Sequence, residues 1–302
     1  MPRPDAMNAI SVERLGKRFF RHVVLDDLSF AVLTGGVTGL IGENGVGKTT
    51  LIRILLGLIE PNQGRGRVLG LDSFTQGVAI RRRTGYVPDS FRLYGWMTTR
   101  EILDFVGAFH PTWDAGLAET LRQQMDLPPR QKTATFSKGM KTRLLLVAAM
   151  AHRPDLLLLD EPLSGLDPIA RRDVLRMLAE FAAEEGKTVL IASHQIEDIE
   201  RLCDRVVLIH RGRALLDERI ETLRATRGDL LAVFPGPVPE APAWPDVDVL
   251  ERTGNSLLLH ARRDKESICR DLTALGAEIE ETAVDLETLF RRAVERAGRE
   301  TS

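Results

Sequence analysis

No stretch constrains this chain more than Gly42-Glu43-Asn44-Gly45-Val46-Gly47-Lys48-Thr49, which fits the pattern GxxxxGK[ST]. Val37-Thr38-Gly39-Leu40-Ile41 precedes it and reads as a buried strand. Leu51, Ile54, Leu55 and Leu58 follow at the i, i+3, i+4, i+7 spacing, which predicts one face of a helix. A strand, a glycine turn and a helix in that order form a loop whose backbone N–H groups turn inward around an anion. The helix N-terminus adds the positive end of its dipole. In such a loop Lys48 reaches the outer phosphates of a nucleotide, and the Thr49 hydroxyl, with Thr50 beside it, faces a Mg²⁺ ion.

The rest of the chain reads as an α/β protein built around that unit. Leu28, Phe30 and Val32 alternate with polar or small residues, so residues 10–34 are β-rich. Short strands are expected at Arg67-Val68-Leu69 and Tyr86-Val87. From 89 to about 152 the pattern is helical. Thr98-Thr99-Arg100-Glu101 is a capping box, with Ile102, Phe105, Val106 and Phe109 on one face and Pro111 as the stop. Asp114 caps a second helix carrying Leu117, Leu121 and Met125, and Ser137 starts a third. Strand–helix alternation then resumes through Leu156–Leu159, Thr188–Ile191 and Val206–Ile209, which implies a parallel sheet with both faces covered. After about 228 the texture changes. Five prolines from Pro235 to Pro245 mark a loop or spacer. Strands are expected at 247–251, 256–260 and 277–282. One helix with Ile268, Leu272 and Leu275 inward lies between the last two, and a closing helix starts at Asp285. The expected domains are therefore 8–227, with a helical insert at about 89–152, and a small α+β appendage at 228–302.

Composition narrows the function classes. A formal charge of -2 offers no electrostatic reason to expect nucleic acid. Two cysteines make neither a disulfide framework nor a zinc set, and Cys203, on a face with Ile196 and Ile199, reads as core. No run approaches the ~20 apolar residues of a membrane span, and Met1–Ala6 carries no signal-like apolar stretch, with Met7 an alternative start. The expectation is a cytoplasmic protein whose membrane connection runs through a partner.

The second chemical feature is Leu156-Leu157-Leu158-Leu159-Asp160-Glu161. Four leucines make a buried strand, and ligands of parallel sheets bind beyond the C-terminal strand ends. Asp160 then lies where it holds Mg²⁺, and Glu161 where it serves as general base toward water. Between the two features, Phe136-Ser137-Lys138-Gly139-Met140 opens a helix. Alone, Ser137 is an ordinary N-cap.

In its place before Asp160, this stretch resembles the Leu-Ser-Gly-Gly-Gln signature of the ATP-binding cassette (ABC) ATPases, departing from it at Phe136, Lys138 and Met140. Further elements fall in the family's order: Ser164-Gly165-Leu166-Asp167 is similar to the D-loop, and Ala192-Ser193-His194 ends a strand where the switch histidine lies. The resemblance covers residues 8–220 and implies a P-loop ATPase that binds ATP and Mg²⁺. It assigns Gly42–Thr50 to the phosphates and Phe19 to the adenine, with Phe20 as the neighbouring choice and core packing open for either. Ser137, Lys138 and Gly139 would meet the γ-phosphate of ATP held by a second subunit, homodimeric or paralogous, and His194 would contact the γ-phosphate of its own site. Asp89 stands where the family has the Q-loop Gln, so it is either a Mg²⁺ contact or a plain turn residue. The Ser-Lys-Gly-Met form, His110-Pro111-Thr112-Trp113-Asp114 and the appendage resemble bacterial exporters of the drug, peptide and bacteriocin-immunity kind. That implies a separate transmembrane permease subunit and a place on the inner membrane face. Arg92, Tyr94, Trp96 and Trp113 either dock that partner or pack the insert's own core. Two other readings stay open: a cassette ATPase of translation or DNA repair, and a nucleotide-dependent regulatory module.

Overall fold

The computed structural model describes residues 8–239, 246–282 and 284–300. The expectations for Met1–Met7, and for Pro242 and Pro245 of the spacer, lie outside the described residues. The chain divides into two compact units, the first ending at Asp217 and the second starting at Glu218. The division expected at 227/228 thus falls inside the second unit.

The first unit holds two sheets. One is antiparallel: β2 (His22–Leu33), β1 (Asn8–Phe19), β4 (Gln63–Val68) and β5 (Leu71–Asp72), in that spatial order. Leu28, Phe30 and Val32 are its buried row. The other sheet has six strands: β10 (Arg213–Arg219, its last two residues past the unit boundary), β9 (Arg205–His210), β3 (Gly36–Ile41), β8 (Thr188–Ser193), β7 (Leu156–Asp160) and β6 (Thr84–Val87). The β9–β3, β3–β8, β8–β7 and β7–β6 pairs are parallel. Register decides what this sheet can do. Ile41 pairs with Ser193, and Asp160 pairs with Ala192, so the C-terminal ends of β3, β7 and β8 lie side by side. The residues that follow these strands therefore share one edge.

Helix α1 (Lys48–Leu55) buries Leu51, Ile52, Ile54 and Leu55 against the sheet. It stops earlier than the periodicity suggested. Gly57 turns left-handed (φ 66°), Gly57 N–H donates to Ile54 O at 2.9 Å and Leu58 N–H donates to Arg53 O at 2.9 Å. Leu58 lies beyond this cap and is exposed, not part of the buried face. A seven-residue helix, α2 (Gly77–Arg83), precedes β6 and has no clear apolar period in the sequence.

The insert carries α3 (Thr99–Gly107), α4 (Ala115–Gln124) and α5 (Lys138–Met150). Thr98 and Glu101 close the capping box in both directions, and the Asp114 carboxylate accepts from Leu117 N–H at 2.9 Å. The face of α3 differs from the expected one. Ile102 and Leu103 are buried, while Phe105 and Phe109 are exposed, and the helix ends at Gly107 before Pro111. The Trp113 ring packs on Gly107, where a Cβ would stand 2.9 Å from it. After β7 comes α6 (Pro168–Ala183), capped by Asp167. After β8 comes α7 (Ile196–Leu202). Cys203 follows α7 as a buried core residue, with its thiol pushed up by burial.

The second unit consists of α8 (Ile220–Thr226), β11 (Gly228–Val233), β12 (Val247–Thr253), β13 (Ser256–Ala261), α9 (Lys265–Ala274), β14 (Glu278–Thr282) and α10 (Leu286–Glu300). Its sheet runs β12-β13-β11-β14 with antiparallel pairs. Leu230, Ala232, Leu257 and Leu259 pack with Ile268 and Leu272. Leu275 caps α9 and is exposed rather than inward, because the helix ends at Ala274. Among the described residues no helix is long and apolar enough to cross a membrane.

Candidate nucleotide site

The loop between β3 and α1 requires glycine for steric reasons. Gly47 has φ 111°, and a Cβ there would stand 2.7 Å from Leu25 Cδ2 and 3.0 Å from Val24 O. A Cβ on Gly42 would meet Ile209 O at 2.6 Å. The loop is also tied internally: Val46 N–H donates to Glu43 O at 3.3 Å. Lys48 is buried, and its ammonium donates to Gly42 O at 2.6 Å and Glu43 O at 3.3 Å.

A cleft of about 530 Å³ opens at this loop. Asn44, Gly45, Gly47, Lys48, Thr49 and Thr50 line it on one side, and Asp89, Asp160, Glu161 and His194 on the other. Phe19, at the end of β1, lines it as well. Phe20 does not: it sits fully exposed in the turn with φ 52°, so neither phenylalanine is core. Val24 and Ser164 also line the cleft. Val24 belongs to no motif, and only the three-dimensional approach of β2 to the loop reveals it.

The carboxylates are unequal. Asp160 is 1% exposed and neither of its oxygens has a hydrogen-bond partner. Burial pushes its carboxyl up, the charges of Asp89 and Glu161 add to that, and the nearby Thr49 hydroxyl and Lys48 oppose it. Two orphan buried carboxylate oxygens beside a hydroxyl are hard oxygen donors, and they fit Mg²⁺, which takes one or two carboxylates and completes its shell with phosphate and water. Glu161 follows with φ 50°, a left-handed backbone unusual for a side chain with a Cβ. That turn swings its carboxylate to Lys48 Nζ (3.2 Å) on one side and His194 Nδ1 (2.8 Å) on the other. A base, an imidazole and an ammonium thus meet at the phosphate end of the loop.

Ser137, Lys138 and Gly139 lie elsewhere, at the start of α5, and none lines the cleft. The Ser137 hydroxyl accepts from Met140 N–H at 3.2 Å. Gly139 is buried where a Cβ would meet Ala170 Cβ at 3.1 Å, so α5 and α6 touch there. Lys138 Nζ stands 3.1 Å from the Cβ position of Gly165.

A family model described as ABC transporter matches residues 25–164. A Nod factor export ATP-binding protein I of Sinorhizobium fredii is 32% identical over 298 residues, covering 95% of this chain and 86% of that one. The bacitracin transport ATP-binding protein BcrA of Bacillus licheniformis is 36% identical over 210 residues, covering 68% of each. Among solved structures, the ATP-binding subunit of an ABC transporter superposes with a TM-score of 0.66 at 31% identity, over 72% of this chain and 92% of that one.

Proposed function

We propose, from the premise that the chain belongs to the ABC transporter ATP-binding family, that it energises export through a separate transmembrane permease, hydrolysing ATP at the cleft between Gly42–Thr50 and Glu161. The observation that carries this reading is the Lys48–Glu161–His194 contact at the C-terminal edge of the parallel sheet. The names of the relatives, bacitracin transport and Nod factor export, support the export direction. The relatives' names as transport and export ATP-binding proteins support assigning the membrane role to a permease partner, and this reading puts the protein on the inner membrane face.

The chemistry follows from the residues. Backbone N–H groups of the loop and the α1 N-terminus bind the phosphates, and Lys48 adds a charge toward the outer ones. Phe19 stacks on the adenine. Thr49, Asp160 and Asp89 would hold Mg²⁺, which supplies charge neutralisation across the phosphates when bound. Glu161 accepts the proton of the attacking water, while His194 orients Glu161 and contacts the γ-phosphate. Ser137, Lys138 and Gly139 do not reach their own cleft. They complete the site of a second ATP-binding subunit, identical or paralogous, that meets this one head to tail. Most of the acceleration then comes from positioning and charge stabilisation.

Glu161→Gln keeps the size of the side chain and removes its basicity. The variant is expected to bind ATP within a few-fold of the parent, to lose roughly 100-fold or more in turnover, and to accumulate as an ATP-dependent dimer on size exclusion. Normal hydrolysis by Glu161→Gln would remove Glu161 as the base.

A further inference from the structure

His194 sits on a short segment between β8 and α7, and something must hold that segment against Glu161. The structure shows a candidate on another helix. Arg171, in the first turn of α6, donates from Nε to Asp198 Oδ1 at 2.5 Å and from Nη2 to Gln195 Oε1 at 2.8 Å. Both acceptors lie on the switch side: Asp198 in α7, and Gln195 next to His194 as the N-terminal cap position of α7. Gln195 N–H in turn donates to Ser193 Oγ at 2.9 Å, so both neighbours of His194 are tied together. Asp198 is 1% exposed, its Oδ2 has no partner, and the guanidinium is its ion-pair partner.

The other end of the connection is equally defined. Arg171 N–H donates to Asp167 O at 2.9 Å, and the Asp167 carboxylate caps α6 through Ile169 and Ala170 N–H. Asp167 ends the loop whose Ser164 lines the cleft. Ala170 beside it packs on Gly139 of α5. The first turn of α6 therefore touches the signature helix with one residue and the switch histidine's segment with the next. A guanidinium fork fixes two acceptors at once, which a point charge does not.

We infer that Arg171 is a positioning residue for hydrolysis, clamping Gln195 and Asp198 so that His194 stays on Glu161. This rests on the assignment of His194 and Glu161 to the reaction. The test measures ATP turnover and ATP affinity of the full-length protein with Arg171→Met, Arg171→Lys, His194→Ala and the double variant. Arg171→Met is expected to lower kcat by roughly ten-fold or more with ATP affinity within about two-fold, since the clamp touches no phosphate-binding group. Arg171→Lys restores part of the loss. In the His194→Ala background, Arg171→Met has no further effect on kcat, because its action runs through His194. Because Arg171→Met leaves Asp198 buried without its cation, Gln195→Leu serves as a second variant that keeps the Arg171–Asp198 pair. It is expected to lower kcat several-fold with an unchanged melting temperature. Full multiplication of the Arg171 and His194 effects, or unchanged kcat in both Arg171→Met and Gln195→Leu, overturns the inference while leaving the catalytic assignment standing. Unchanged kcat in His194→Ala overturns the assignment, and the inference falls with it.

Discussion

Asp160 ends a strand of four fully buried leucines, and neither of its carboxylate oxygens is paired. An ionised, unpartnered carboxylate in such a place works against folding, and burial accordingly holds its proton more tightly. The folded pKa lies above the unfolded one, so its unfavourable contribution is present at neutral pH and relieved as the pH falls. Asp160→Asn should therefore raise the stability of the nucleotide-free protein. The same change should remove the Mg²⁺-dependent gain in ATP affinity and cut turnover at least ~100-fold. Thermal melts and nucleotide titrations with and without Mg²⁺ read both signs, and a less stable Asp160→Asn protein would mean that the charge is paired. Lys48, Asp160 and Glu161 were readable in the sequence because each stands at a strand end or in a loop with local chemistry, whereas His194 was marked only by its place in the family's order of motifs. Arg171 was not. Its partners lie 24 and 27 positions away, and neither spacing belongs to a local pattern.

At the scale of elements, the periodicity located most helices and strands and misjudged where some stop. The backbone sets the ends of α1 and α3. Gly57 closes α1 before Leu58, and α3 finishes at Gly107, leaving Phe105 and Phe109 outside the buried face. α2 and α8 went unread because each is a seven-residue helix, too short to show a period, and β11 because its apolar run Leu230–Val233 has none. The α3–α4 link is fastened to the end of α5 in a way that no pattern announced. Thr112 Oγ1 donates to His152 O at 2.9 Å, Asp114 N–H donates to Ala151 O at 2.9 Å, and the His110 and His152 rings stack with centroids 4.0 Å apart. Burial first, and the neighbouring His110 second, lower His152 from 6.5 to about 4. Folding therefore favours the neutral ring. Stability is complete above about pH 6.5, falls as the unfolded chain takes up its proton, and levels off near pH 4. Between pH 7 and pH 5 this contribution is at most about 2 kcal/mol. His152→Leu should remove it, so that urea midpoints at the two pH values move closer together than in the parent. An equal pH dependence in the variant would place the acid sensitivity elsewhere.

For the whole molecule, the loop Gly42–Thr49 and the helix start at Ser137 are separate features of one subunit, and only the family resemblance brought them together as parts of a single kind of site. The cleft contains the first and not the second. In the proposed function the first set of phosphate contacts works with the second set of a copy or paralogue, and a membrane partner makes hydrolysis useful. On that proposal the exposed rings of the insert are the docking surface for the permease. Tyr94, Trp96, Phe105 and Phe109 are 53%, 69%, 44% and 68% exposed. They form a ladder, with ring centroids 5.7 Å apart from Tyr94 to Trp96, 6.0 Å from Tyr94 to Phe105 and 5.2 Å from Phe105 to Phe109. Exposed aromatic rings in contact with one another mark an interaction surface more often than scattered ones do. Trp113, by contrast, is spent on Gly107. With Trp96→Ala, recovery of the permease in pull-downs from detergent-solubilised membranes should fall roughly ten-fold, the effect of losing about 1.4 kcal/mol of binding. ATP affinity should not change, since no ring of the ladder lines the cleft. Trp113→Ala should instead lower the melting temperature with less effect on recovery, because its ring fills the insert rather than facing outward. Full recovery of the permease with Trp96→Ala would remove the ladder from the docking surface.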